Sequence, residues 1–173
     1  MTYGATQLAD AFRTVRKNTI QIAEDIPEDQ YGFKATPEVM SVSQMLAHIA
    51  TTTLWPLQAH KVDRVSHITR EIFVGYMGKG AQAAADLTTK AQILDALRRN
   101  GDEFASFLAS LDDATLAETV TFPPPLQPSE KSRLEMLLGI KEHEMHHRAQ
   151  LILIERLLGI VPHLTRNRQA APR

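Results

Sequence analysis

The stretch Ser132-Arg-Leu-Glu-Met-Leu-Leu-Gly-Ile-Lys-Glu-His-Glu-Met-His-His-Arg-Ala-Gln-Leu-Ile-Leu-Ile-Glu-Arg-Leu-Leu158 decides the fold. At about 100° per residue, Met136, Ile140, His143, His147, Leu151, Ile154 and Leu158 fall within a stripe roughly 80° wide, the mark of an amphipathic helix. Glu135, Lys141, Glu142, Arg148 and Glu155 take the other faces. Ser132 with Glu135 has capping-box spacing, and Gly159 is a natural stop.

Three further helices follow from the same period. Thr6 to Asp25 carries Leu8, Phe12, Val15, Thr19, Ile22 and Ile26 on one face and ends at Pro27. Val42 to Ala59 opens with Ser41 and Gln44 as a capping box and turns Met45, Leu46, Ile49 and Thr53 inward; Pro56 is expected to kink or shorten it. Lys90 to Ser110 opens with Thr89 and Gln92, repeats Ile93, Ala96, Leu97, Phe104, Phe107, Leu108 and Leu111, and is weakened by Gly101. The connections Lys61–Thr88 and Asp112–Lys131 read as long crossovers, the second stiffened by Pro123-Pro124-Pro125. Glu118–Phe122 alternates like a short strand but is not assigned as one, and no sheet is expected. The expectation is an all-α four-helix bundle with long crossover connections, formed by residues 1–164, with residues 165–173 a basic flexible C-terminal tail.

Composition narrows the function. A net charge of -1 gives no electrostatic reason to expect nucleic acid or an anionic membrane as partner. There is no apolar run long enough for a transmembrane helix and no basic-then-apolar leader at Met1–Asp10, so a cytoplasmic location is expected. The absence of cysteine excludes disulfides, thiolate ligands and a cysteine nucleophile.

The chemistry sits on the fourth helix. His143 and His147 occupy its buried face, four residues apart, so their rings project side by side from adjacent turns. A lone buried imidazole is most often a hydrogen-bonded core residue, but two unpartnered ones are costly, and a shared metal ion relieves both. His48, on the flank of the second helix's apolar stripe, is the best third ligand. His60, His67 and His163 are expected to be solvated, and His146 to lie at the surface or behind the ligands. Trp55 is either a pocket wall or an ordinary core residue.

His143-Glu144-Met145-His146-His147 also spells H-E-x-x-H. The downstream residues argue against a zinc protease: Gln150 and Leu153 stand where a metzincin needs glycine and histidine, and no acidic residue follows Glu155. Glu144 is retained as a group behind the ligands or a base.

Three blocks carry a resemblance to the DinB/YfiT-like family of metal-binding four-helix bundles: Ile26–Tyr31 running into Phe33–Glu38, Met40–Ala50, and His143–Leu151. Ala149 departs from the family's frequent glycine, which affects helix packing and not the ligands. The family's metal-binding histidines match His48, His143 and His147. The resemblance further implies up-down-down-up connectivity, a homodimer, zinc or nickel as the divalent ion, and thiol S-transferase activity with a low-molecular-weight thiol in some relatives. A metal-dependent thiol S-transferase or hydrolase acting on a small molecule is the expected function, with a non-enzymatic metal-binding or stress-response protein as the alternative.

Overall fold

The computed structural model describes residues 3–170. Its elements, in chain order, are α1 (Ala5–Asp25), α2 (Val42–Thr52), a single turn α3 (Leu54–Pro56) running into a wide π turn (Leu57–Val62), α4 (Arg70–Ala85), α5 (Lys90–Ala109), α6 (Asp113–Ala117), strands β1 (Thr119–Thr121) and β2 (Glu130–Ser132), α7 (Arg133–Leu157) and α8 (His163–Ala170). None of these helices is long and apolar enough to cross a membrane.

The bundle consists of α1, α2, α5 and α7. α1 and α2 each pack on both α5 and α7, so the pairs adjacent in sequence, α1/α2 and α5/α7, stand on the diagonals. That arrangement requires the long crossovers. Three bundle helices begin at capping boxes, Ser41 with Gln44, Thr89 with Gln92 and Ser132 with Glu135, each satisfying backbone N–H groups that the first turn would orphan. α2 stops at Thr52 because Pro56 has no N–H to return to that carbonyl. α7 stops at Gly159, whose φ of 76° turns the chain out of the helix.

The core has two apolar halves with a polar layer between them. In one, Ile22, Ile26, Leu46, Ile49, Ile93, Leu97, Leu151 and Ile154 pack together. In the other, Leu8, Phe12, Phe104, Leu108, Leu137 and Ile140 do so, with the Phe12 and Phe104 rings edge to face at 4.9 Å. Each such side chain contributes about 1.5–3 kcal/mol by leaving water. On α1, α5 and α7 the two halves are separated by Arg16, Asn100 and Glu144, all buried. Asn100 donates to the carbonyl of Ala50, and Arg16 to that of Leu97.

Several expectations need correction. The connection 61–88 is not a plain loop: it contains α4, which packs on α2. Glu118–Phe122 does contribute a strand, since β1 pairs antiparallel with β2 in the register Thr119 to Ser132. Ile68 then donates its N–H to the carbonyl of Thr121, tying the entry to α4 onto this ribbon. The tail expected to be flexible is helical through Ala170, because the Pro162 carbonyl accepts the first helical N–H groups and Arg166 pairs with Asp25 of α1 at 2.6 Å. Residues 171–173 of that tail lie outside the described residues. Glu155, placed on an outer face by its phase, is fully buried.

Candidate metal centre

His48 comes from the second turn of α2, and His143 and His147 from consecutive turns of α7. One ring nitrogen from each lies within 4.8 Å of the other two. The ring centroids are 5.0 Å apart for His48–His143, 5.0 Å for His48–His147 and 4.6 Å for His143–His147, with every pair near perpendicular. The Nε2 atoms of His48 and His143 approach to 2.8 Å. At that separation two neutral lone pairs repel unless one ring donates to the other or both share a cation.

The surroundings keep these rings neutral. Burial, reinforced by neighbouring imidazoles, pushes His143 down to about 4. Burial first, and His147 second, lowers His48. Burial and His146 lower His147, against the opposing effect of its hydrogen bond to Gln150. Neutral imidazole is the metal-binding form. Gln150 also orients its partner: Nδ1 of His147 faces the Gln150 amide oxygen at 2.8 Å, so Nδ1–H donates there and Nε2 keeps its lone pair. Three convergent nitrogen donors, with no thiolate and no carboxylate among them, fit a borderline divalent ion such as zinc or nickel.

The other expected residues separate cleanly. Glu144 follows His143 but turns away from it. Its carboxylate meets the guanidinium of Arg16, with Nε–Oε1 and Nη2–Oε2 both at 2.9 Å, and it lines no part of the cavity at the histidines. His146 is exposed, as expected. His67 is exposed, with Nδ1 against the Thr121 hydroxyl at 2.6 Å. His60 and His163 are not solvated as expected. His60 is buried against Arg133, and burial with that cation takes it down to about 4. His163 is buried with Nε2 facing the Asn18 amide oxygen at 3.1 Å. Their burial comes from the π turn and from α8, two elements the apolar periodicity does not announce.

A cavity of about 500 Å³ opens beside the histidines, within the range of small-molecule sites. His48 and His143 lie in its lining, and half-buried Trp55 forms one wall. Sequence reasoning missed Arg16 and read Gly101 only as a weak point of its helix. Arg16 follows Phe12 by one helical step of four, which puts a charge on an inward stripe and signals a buried partner. Gly101 is the space Arg16 needs: a Cβ there would stand 2.9 Å from the Arg16 Cγ.

Fold and site together define an all-α bundle with a three-histidine centre beside a cavity. The chain belongs to the DinB superfamily, whose family pattern matches residues 11–151. Among solved structures it is similar to YfiT from Bacillus subtilis, described as a probable metal-dependent hydrolase with an unusual four-helix bundle topology. The TM-score is 0.70 at 14% identity, over 92% of this chain and 90% of that one. It is also similar to the DinB-like protein YjoA from Bacillus subtilis, with a TM-score of 0.63 at 19% identity over 88% of this chain and 92% of that one. At these identities the likeness speaks for the fold. No similar curated protein was found.

Proposed function

We propose that the protein is a metal-dependent enzyme of hydrolase or thiol S-transferase type, acting on a small molecule, in which His48, His143 and His147 hold one zinc or nickel ion. The observation that carries this reading is the convergence of three neutral imidazoles at the edge of a cavity large enough for an organic substrate. Three protein ligands leave coordination positions free, which is the pattern of catalytic rather than structural sites. A divalent ion held there supplies Lewis acidity, activating a nucleophile or polarising an electrophile.

The chain's own residues do the rest. His147, oriented by Gln150, and His48 and His143, kept neutral by burial, present lone pairs at neutral pH. Trp55 shields one side of the substrate space. With no cysteine in the sequence, the nucleophile is an external one, water or a low-molecular-weight thiol. The Arg16–Glu144 pair removes Glu144 from consideration as a base and with it the protease reading of H-E-x-x-H, in which that carboxylate must face the reaction. The cavity favours this reading over a purely metal-storing protein.

The test is turnover of ester and electrophile panels, the latter with added thiols, before and after chelation. Activity that falls on chelation and returns with zinc or nickel supports the reading. Undiminished activity in verified metal-free protein overturns it.

A further inference from the structure

The cavity beside the histidines is elongated. Its α7 wall runs along one stripe from Glu135 through Gly139 to His143, eight helical steps that span roughly 12 Å at about 1.5 Å each. Lys131, on β2, lies at the end away from the histidines, and the loop between β1 and β2 covers part of the wall.

The middle of this space is largely apolar; the indole N–H of Trp55 is a donor there, and the hydroxyls on its helices are engaged elsewhere. Thr51 donates its hydroxyl to the Ala47 carbonyl, Thr52 to the His48 carbonyl, and Tyr76 to Asp63. What remains is Trp55, Phe73, Met77, Phe122 and their aliphatic neighbours, with Gln127 the amide in the lining. α4 buries only Tyr76; its apolar residues Phe73, which also packs against the small cluster of Ile68, Val120 and Met136, and Met77 face the cavity half-exposed. Such surface is costly in water and is covered when an apolar ligand enters.

Two glycines keep the space open. Gly80 of α4 and Gly139 of α7 both line it, and a Cβ added at either meets nothing within 4 Å. A helix interior is destabilised by glycine relative to almost any other residue. No close packing requires it at these positions; a side chain there would occupy the cavity.

Charge sits at the end opposite the histidines. Lys131 forms no salt bridge among the described residues. The Glu135 carboxylate lines the same end and feels the Lys131 charge, but it is engaged as the helix cap, accepting hydrogen bonds from the Ser132 N–H and hydroxyl at 2.8 and 2.7 Å. A peptide-like thiol with several amides and carboxylates would find few partners here. We infer that the cavity takes an elongated, largely apolar carboxylate, with its reactive end at His48 and His143 and its anionic end at Lys131. As a statement about substrate, this rests on the metal-enzyme reading; as a statement about binding, it stands without the ion.

Trp55, the sole tryptophan, lines the cavity and reports occupancy by its fluorescence. Decanoate, decanol of the same length, and acetate are titrated into chelated and zinc-loaded protein. In chelated protein decanoate should bind several-fold more tightly than decanol, with acetate silent. Lys131→Met should bring decanoate down to the level of decanol. Gly139→Leu should weaken both by at least about tenfold, roughly 1.4 kcal/mol, without lowering the melting temperature; Gly80→Leu gives a second blockage from the facing helix. Unchanged binding in both leucine variants overturns the cavity assignment. Unchanged decanoate affinity in Lys131→Met, or a preference for decanoate seen only with zinc present, overturns the lysine anchor. Failure of the protein to retain zinc defeats the metal reading and leaves the chelated titration to decide this one.

Discussion

Arg16 and Glu144, 128 residues apart in sequence, form a two-pronged ion pair between α1 and α7, with side chains only 5% and 3% exposed. Arg16→Met should therefore cost about 3–5 kcal/mol in urea unfolding, because it strands a buried carboxylate. The double variant Arg16→Met/Glu144→Leu should recover much of that loss and still bind one metal ion, since neither residue belongs to the ligand set. Recovery without metal binding would place Glu144 among the ligands.

Gly101 makes the pair sterically feasible. Gly101→Ala should destabilise by about 1–3 kcal/mol, because the new methyl group and the Arg16 side chain compete for one space. In an Arg16→Ala background the same change should stabilise by up to about 1 kcal/mol, as alanine is the better helix former. Equal effects in the two backgrounds would mean that the contact is unimportant.

Metal binding should follow the geometry of the histidines. One divalent ion per chain is expected by elemental analysis, and alanine at His48, His143 or His147 should lower its affinity by at least about tenfold, or 1.4 kcal/mol. The triple change of His60, His67 and His163 should leave the affinity of the residual fold unaltered. Its stability should drop, since two of those rings are buried; metal affinity and unfolding are read separately.

Glu155 should make the protein less stable as pH rises. It is fully buried, neither carboxylate oxygen has a hydrogen-bond partner, and burial with the nearby Asp25 raises it from 4.5 to about 7 despite Arg166 and Arg156. Between those two values the folded state holds a proton that the unfolded chain has released. Its contribution is therefore present at low pH, is lost as pH climbs through the window, and changes no further above it. Glu155→Gln should flatten this part of the pH–stability curve and gain up to about 3 kcal/mol at its alkaline end. A parent curve already flat across the window would contradict this account.

Leu153 and Leu157, on α7, are more than half exposed, at 58% and 57%. Burying them against a second copy is the expected use of that face, and a homodimer is our proposal. Light scattering at micromolar concentration should give twice the 19.3 kDa chain mass, and Leu153→Lys/Leu157→Lys should return it to the single mass. The single mass in the parent protein would remove the proposal.

The four bundle helices were legible because each buries a continuous apolar stripe and most carry their own capping signals; their ends fall within a residue or two of expectation, except in α2, where Pro56 acts. The histidine triad was legible for the same reason, since a polar residue on an inward stripe demands explanation. α4 escaped because its apolar side faces a cavity and Gly75, Gly78 and Gly80 dilute its period. Glu155 escaped because its phase is that of an outer face until α8 folds over that end of the bundle, with Arg166 reaching Asp25. Arg16 drew no notice and Glu144 read as a base or a group behind the ligands; only the packing of α1 near α7 pairs them.

His48 and His143 meet across 95 positions of sequence, and this sets a timetable for the protein's own manufacture. A chain leaving the ribosome exposes His48 long before the fourth helix has been made, and a lone imidazole holds divalent ions weakly. If the three histidines hold an ion as proposed, capture must wait until α7 has emerged and found its place beside α2. On the proposed reading, loading is thereby a certificate of completed assembly, and truncated products that end before α7 carry no three-histidine centre.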